Sequence, residues 1–268
     1  MRRRRLIFWV TVTLAALALA ACSDSSSNLG KYYAGRTLNL SVVAIERVPE
    51  LRYATIDPKS VVRRWRVAPS GDGLELIMVR LKVENHTAIK AIVDVDQQAA
   101  ELRDFIRGTY FPIDLSSRLY QDLRNQPAAT VHMSQGQCFD PNRMYISQAT
   151  TVNWVNDDSV VHYVNLDSGG EDLRPVGPGE SFSYTFTGPE IRDYQCSAQE
   201  LPGQKAQIVV EQTSGRSLIK ERSMLFINGS FELQKGMGIE GWIVFEAPKG
   251  TEFRDLRWRA GDSITITF

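Results

Sequence analysis

The sequence predicts an all-β fold, and two observations carry that prediction. Its apolar segments are short, and clusters of Gly, Pro, Asn and Asp separate them, as turns separate strands. Residues 74–83 approach an alternation of apolar and polar side chains, which is typical of a strand with one face on a core. Eight segments are accordingly predicted as strands, at residues 37–45, 74–84, 150–155, 162–166, 181–187, 205–211, 241–246 and 263–268. One short helix is expected around residues 96–106.

The N-terminus has the pattern of an export signal. Arginines at positions 2–5 precede an apolar run that is too short and Ala-rich for a secure membrane span. The run ends in Leu19-Ala20-Ala21-Cys22, which resembles the lipobox of bacterial lipoproteins and implies that Cys22 becomes a diacylated mature N-terminus. We expect a signal peptide over 1–21, a flexible tether over 22–34, and lipid attachment to a membrane of the cell envelope, on its extracytoplasmic face. An ordinary signal peptide with a chance cysteine, or an uncleaved anchor, is the alternative.

The charge balance excludes one class of partner. The full chain carries 31 basic and 31 acidic side chains, and the predicted signal contains four of the basic ones and none of the acidic ones. The expected mature chain therefore has 27 basic residues and a net charge of −4. Such a chain offers no basic field to a phosphate backbone, so nucleic acid is not an expected partner.

Two polar, loop-like stretches divide the mature chain. They lie around residues 122–130 and 212–222, and the residues between them, 129–212, have the size of a small domain. The flanks, 35–125 and 220–268, are each too small for a stable β-sandwich but together reach the usual size. The sequence therefore predicts one discontinuous domain with a second domain inserted into one of its loops.

The flanks resemble a known domain family. The matching elements are Gly35-x-Thr37-Leu38, Leu102-x-Asp104, Gly108-x-Tyr110 and the segment Gly238–Pro248. Together they are similar to the immunoglobulin-like (telokin-like) domain of many bacterial lipoproteins. That resemblance implies a β-sandwich with a binding or spacing role and no chemistry of its own.

The middle of the chain resembles the cupredoxins, and plastocyanin most in its spacing. The matching features, in order, are Phe139-x-Pro141, Thr151-Val152-x-Trp154-x-Asn156, His162, Pro178-Gly179-Glu180 and Tyr194-x-Cys196. The resemblance implies a Greek-key β-barrel or sandwich. The fold expected for the whole chain is a cupredoxin-like domain inserted into an immunoglobulin-like β-sandwich.

The cupredoxin resemblance also implies a copper site with an altered set of ligands. His162 and Cys196 stand where the family has its first imidazole and its thiolate, but Gln199 stands in place of the second His and Gln204 in place of Met. Blue-copper sites need two imidazoles, one thiolate and a weak axial ligand, and a Gln oxygen can serve as the axial ligand. Gln199 is the damaging change, because an amide oxygen is a much poorer equatorial donor. Copper is therefore the cofactor that the resemblance implies, and an empty site is the alternative.

The cysteines give a competing account. The chain has Cys22, Cys138 and Cys196, and two remain if Cys22 carries lipid. Either they pair or at least one is kept for chemistry. Because the first strand of the resembling family passes near its ligand loop, a Cys138–Cys196 disulfide is conceivable, and it would consume the copper thiolate.

Two functional hypotheses follow from these residues. The first is an extracytoplasmic copper-binding protein that transfers single electrons to a protein partner. The second is a metal-free binding or interaction module closed by a disulfide. An enzyme is not expected, because the sequence has no Gly-x-Ser-x-Gly nucleophile elbow and no His-Glu-x-x-His or Cys-x2-Cys pattern.

Overall fold

The computed structural model describes residues 28–56, 61–166, 173–197, 204–212, 222 and 224–268, and for residues 196 and 197 it describes the backbone only. Within these residues nearly all regular structure is β-strand, which confirms the predicted fold class. The eight predicted strands are present, with ends that shift by a few residues. The predicted signal, the lipidation site and residues 22–27 of the predicted tether lie outside the described residues.

The flanking segments form strands on both sides of the middle segment. Before it lie β1 Tyr33–Ala34, β2 Leu38–Val48, β3 Leu51–Ile56, β4 Val62–Val67, β5 Leu74–Asn85, β6 Lys90–Val95, β7 Ala100–Asp104, β8 Thr109–Tyr110 and β9 Tyr120–Asp122. After it lie β19 Gly229–Gln234, β20 Gly238–Pro248, β21 Phe253–Trp258 and β22 Ile264–Thr267.

The flanking strands pair across the sequence and enclose one apolar core. The sheet β1-β2-β5-β20 faces a second sheet, β22-β21-β7-β8, and β19 pairs with β6. Long antiparallel registers such as Leu81 opposite Gly241 join strands from the two ends of the chain. Leu40, Val79, Phe245 and Trp258 are fully buried in this core. Burial of apolar side chains from both ends stabilises their association.

The middle segment supplies the remaining strands. They are β10 Ala128–Ser134, β11 Gln137–Asp140, β12 Arg143–Ser147, β13 Thr151–Asn156, β14 His162–Asn165, β15 Leu173–Val176, β16 Ser181–Thr185, β17 Glu190–Ser197 and β18 Gln204–Glu211. The sheet β11-β10-β13-β16 packs on the strands β15-β14-β17-β18-β12. Between the two lies a second core that includes Trp154, Phe139, Tyr194 and Phe186.

One sheet continues from the middle segment into the flanking residues. Strand β12 pairs in parallel with β9, and β9 pairs with β4 and then β3, which completes a sheet of eight strands. The backbone N–H of Leu123 also donates to the carbonyl of Tyr145 at 2.9 Å. The stretch at 122–130, which the sequence predicts to be a loop, therefore begins at the last residue of β9 and ends within β10. The division of the chain into domains stays a prediction.

The predicted helix at 96–106 is wrong. Residues 96–99 form a turn, and Ala100–Asp104 form β7, in which Ala100, Leu102 and Asp104 are buried. The period-2 burial is the reason, because β7 lies between β21 and β8 with one face on the core. Within the described residues, no helix has the length and apolar character needed to cross a membrane.

Candidate metal site

His162 is a buried imidazole that its surroundings hold in place. It begins β14, is 0% exposed, and has its Nε2 3.0 Å from Oδ2 of Asp158. The hydrogen bond from His162 holds the pKa of Asp158 below its usual range, so the carboxylate stays charged. A carboxylate partner of this kind orients the histidine ligands of many metal sites. His162 therefore fits the position that the sequence predicts for a ligand.

The loop before His162 is fixed by Asn156. Its side-chain amide donates to the carbonyls of Val160 and Val176, each at 2.8 Å, and its Oδ1 accepts from the backbone of Asp158 at 2.9 Å. Asn156 is fully buried, so these bonds satisfy polar groups that would otherwise be costly. They hold the loop that carries Asp158, whose carboxylate contacts Nε2 of His162.

Cys138 has no thiol to offer a metal. It lies on β11, is 0% exposed, and is disulfide-bonded. The adjacent turn contains Gly136, whose φ of 83° lies in the left-handed region that favours glycine.

Gln204, the predicted axial ligand, is used as a structural hydrogen-bonding group. Its Oε1 accepts from the backbone N–H of Cys138 at 2.9 Å, and its Nε2 approaches the carbonyl of Gly136 at 3.4 Å. Both ends of the amide therefore contact the β10–β11 turn.

The sheet register places the backbone of Cys196 between β14, which carries His162, and β18, which carries Gln204. Cys196 lies opposite Gln204 on β18 and opposite Val164 on β14, two residues beyond His162. The structure therefore brings together the strand positions of His162, Cys196 and Gln204. The side chain of Cys196 and the whole of Gln199 lie outside the described part of the chain.

No second imidazole is available on the described strands of the middle segment. His132 lies on β10, where Val131 and Met133 are buried and His132 points outward with 55% of its side chain exposed. Its Nδ1 pairs with Oδ2 of Asp157 at 2.6 Å. His132 is therefore a surface residue, consistent with a strand position that has no metal role.

These donors do not fit a blue-copper centre. Such a centre needs a thiolate and two imidazoles. Among the described residues, Cys138 is oxidised, Gln204 bonds to backbone, and only His162 is suitably placed. No group of three His, Cys, Asp or Glu side chains converges within those residues.

An aromatic cluster lies beside the strands that carry the cysteines. The ring of Tyr194 is 4.6 Å from that of Phe139 and 5.7 Å from that of Trp154, which stacks on Phe182 at 5.6 Å. Burial raises the pKa of Tyr194 well above its usual range, so the phenol stays neutral. Phe139 follows Cys138, and Tyr194 lies two residues before Cys196. The cluster therefore makes both strands part of the packed core.

A charged network that the sequence analysis missed joins β4, β9 and β18. Glu211 on β18 accepts from Arg66 at 2.6 Å and from Arg124 at 2.8 Å, and Arg66 also pairs with Glu50. Arg124 binds Asp122 through two nitrogens. Charged residues scattered along a sequence give no sign of such long-range pairs, so only the sheet register reveals them.

The pKa values in this network reflect the pairing. Burial by itself raises the pKa of Glu211 and of Asp122, but the hydrogen bonds from the arginines outweigh it and hold both pKa values below the usual range. The guanidinium of Arg66 also lies 4.0 Å from the ring centre of Tyr145 on β12. The network therefore fixes charged groups at the point where the eight-stranded sheet passes from the middle segment into the flanking segments.

Comparison with known proteins gives similarity to cupredoxins over part of the chain. No protein-family model matches the sequence. A purple cupredoxin from Nitrosopumilus maritimus is 24% identical over 31% of this chain and 99% of its own, with a TM-score of 0.27. An amicyanin variant in its Cu(I) form is 26% identical over 32% of this chain and 83% of its own, also with a TM-score of 0.27. A copper-containing nitrite reductase from Thermus scotoductus is 27% identical over 37% of this chain and 25% of its own, with a TM-score of 0.26. TM-scores this low assign neither a metal nor an activity to this chain.

Proposed function

We propose that this chain is an exported, lipid-anchored binding protein whose middle segment is a disulfide-closed β-sandwich that does not carry electrons. The observation that carries the proposal is the oxidised state of Cys138, whose backbone N–H is bonded to the side chain of Gln204. Gln204 accepts from a backbone N–H of a buried strand, and Cys138 is already oxidised. Both are therefore structural groups and have no remaining role as ligands.

The disulfide partner that we propose is Cys196. The chain has three cysteines, and the lipobox pattern reserves Cys22 for lipid. Gln204 contacts Cys138 and lies opposite Cys196 in the register, which supports a close approach of the two cysteine strands. Such a bond removes the thiolate on which a copper–thiolate centre depends.

The binding role follows from the construction of the chain. The eight-stranded sheet and the Glu211 network support a rigid connection between the middle and flanking segments. A rigid two-part body held by a lipid on Cys22 is suited to presenting surfaces to another extracytoplasmic protein or ligand. We propose no enzymatic activity, because the sequence has no Gly-x-Ser-x-Gly nucleophile elbow and no His-Glu-x-x-His or Cys-x2-Cys pattern.

Copper binding coupled to single-electron transfer is the second candidate. His162 favours it, since its imidazole is buried and is oriented by Asp158 as metal ligands often are. This candidate requires Cys196 to be a free thiolate and another residue to supply the second equatorial donor. It would bring a redox protein as partner.

The experiment that separates these candidates counts thiols and copper in one sample. The mature protein is purified without reductant, alkylated under denaturing conditions and digested, and a parallel sample is loaded with copper and dialysed. The binding-protein proposal expects no alkylated Cys138 or Cys196 and no stoichiometric copper. Two alkylated cysteines with one tightly bound copper, lost in Cys196→Ala, would establish the second candidate.

A further inference from the structure

A cavity in the flanking segments lies apart from the cysteines and His162. It has a volume of about 350 Å³, within the range of small-molecule sites. Its walls come from three places in the sequence: the end of β6, the stretch after β8, and the strands at and after residue 226. None of the lining residues belongs to the middle segment.

The interior of this cavity is apolar and its rim is acidic. Ile227, Ile243 and Val244 are buried in its wall, and Phe226 and Trp242 are partly exposed beside them. Asp96 and Asp114 are exposed lining residues that come from different segments. The cavity therefore combines a wall for an aromatic or aliphatic group with carboxylates at the opening.

Both rim carboxylates are charged groups without a cation. Oδ1 of Asp96 accepts from the backbone of Gln98 at 2.8 Å, and Oδ1 of Asp114 accepts from the backbone and hydroxyl of Ser116 at 2.9 and 2.7 Å. The bonds from Ser116 lower the pKa of Asp114 and keep it ionised. In the described part of the chain, neither carboxylate forms a salt bridge.

The arginines close to the rim are already paired. Arg118, four residues after Asp114, binds Glu246 at 2.7 Å, and Arg259 binds Glu101 at 2.6 Å. Arg259 and Glu101 line a wider depression of about 770 Å³ that shares Asp96 with the cavity and also contains Asp94. Neither arginine therefore forms its ion pair with Asp96 or Asp114.

We propose that this cavity binds a small organic cation with an apolar body. The apolar part occupies the space lined by Phe226, Trp242 and Ile243, and the cationic group lies at Asp96 and Asp114. An apolar wall with a few polar groups is the usual construction of a small-molecule site. The proposal names a ligand for the binding role given above and rests on it.

The test uses three probes that share a phenylethyl body and differ in charge. Phenylethylamine is cationic at neutral pH, 2-phenylethanol is neutral, and 3-phenylpropionate is anionic. Each is titrated into the mature protein by calorimetry, with tryptophan emission as a local readout and Trp242→Phe as the variant that removes the reporting indole. We expect the cation to bind about tenfold or more tightly than the neutral probe, as two exposed charge pairs allow.

Asn substitutions at the rim isolate the charge. Asn keeps the oxygen that accepts from Gln98 or Ser116, so Asp96→Asn and Asp114→Asn remove charge with little change in the turns. The double variant should weaken cation binding by about tenfold and leave the neutral probe unchanged. Asp72→Asn, at an exposed turn away from the cavity, is the control and should leave both unchanged.

Four results would overturn the proposal. They are equal affinities for the cationic and neutral probes, full cation affinity in the double variant, an emission change that persists in Trp242→Phe, and no binding of any probe at millimolar concentration. These outcomes are distinguishable from failure of the proposed function, because thiol and copper measurements report on residues 129–212 and the probes report on the flanking cavity.

Discussion

The side chain of Gln204 accepts a hydrogen bond from the backbone N–H of Cys138 at 2.9 Å. One residue is the predicted axial ligand and the other is the predicted spare cysteine, 66 positions earlier in the chain. Their bond joins β18 to β11 and gives both residues a structural task. The amide that replaces Met therefore stabilises the strand that carries the extra cysteine.

Replacement of Gln204 by Met tests whether the amide is structural. Gln204→Met supplies the thioether that the resembling family carries but leaves the N–H of Cys138 without a good acceptor. We expect unfolding free energy to fall by about 1–2 kcal/mol, with no gain in copper retention. Urea unfolding and metal analysis measure the two effects. Gln195→Met, at an exposed position on neighbouring β17, is the matched control and should change little. Tight copper binding gained by Gln204→Met would show that this position is a ligand site.

Substitution of either cysteine of the proposed disulfide should destabilise the protein by the same amount. Cys138→Ala and Cys196→Ala each open the loop between them, which should lower the free energy of unfolding by about 2–4 kcal/mol. The double variant should cost no more than one single variant, since one bond is lost in each case. Chemical denaturation with and without reductant measures this. Additive losses, or a wild-type protein indifferent to reductant, would contradict the proposed pairing.

The charged network at Glu211 predicts acid sensitivity. The pKa values of Glu211 and Asp122 lie below their usual range in the folded protein. Each carboxylate therefore contributes stability that is present above its unfolded pKa, about 4, and is lost as pH falls through the lower folded pKa. We expect the free energy of unfolding to decline below about pH 5. Denaturation curves at several pH values provide the measurement.

Glu211→Gln should flatten that decline. At neutral pH it should cost about 1–2 kcal/mol, because charged hydrogen bonds from Arg66 and Arg124 are weakened at a site that is one-third exposed. Glu252→Gln changes an exposed carboxylate without an ion pair in the described residues and serves as control. An acid profile that is the same in both variants would show that Glu211 has no part in the pH dependence.

A glycine beside β7 should tolerate no side chain. A Cβ added at Gly108 would lie 2.3 Å from Oδ2 of Asp104 and 2.8 Å from the hydroxyl of Tyr110. The carboxylate of Asp104 is buried and accepts from Ile106, Gly108 and Tyr110. Gly108→Ala should therefore lower the free energy of unfolding by about 1–3 kcal/mol.

The control for this substitution is Gly73→Ala. A Cβ there meets nothing within 4 Å, so thermal unfolding should be nearly unchanged. Equal melting temperatures for the two variants would show that the turn at Gly108 adjusts without cost.

Strands are predicted best from the sequence where apolar and polar residues alternate. Residues 74–84 are predicted as a strand because alternation has a period of two, and β5 confirms them. The helix at 96–106 is wrong because a short segment with Ala99, Ala100 and Leu102 suits either structure until its sheet neighbours are known. Strand β4 is missed because its arginines are polar, although Arg63 pairs with Asp140 on β11 and Arg66 with Glu211 on β18.

The strand positions of the candidate ligands could be predicted from the sequence, but the role of their side chains could not. The order of motifs places His162, Cys196 and Gln204 on neighbouring strands, as the register has them. The hydrogen bond from Cys138 to Gln204 depends on how β11 approaches β18, and the hydrogen bond between His162 and Asp158 depends on the conformation of the loop before β14. Local sequence does not specify such contacts, so the sequence leaves open whether these side chains bind copper or have structural roles.

Peptide mapping of the unreduced mature protein tests the central claim most directly. If Cys138 is bonded to Cys196, a proteolytic digest contains the two peptides as one cross-linked mass, which separates on reduction, and added copper produces no intense visible thiolate band. If Cys138 and Cys196 are both recovered as free thiols and copper gives that band, the middle segment holds a copper centre and the account of a disulfide-closed binding protein is contradicted.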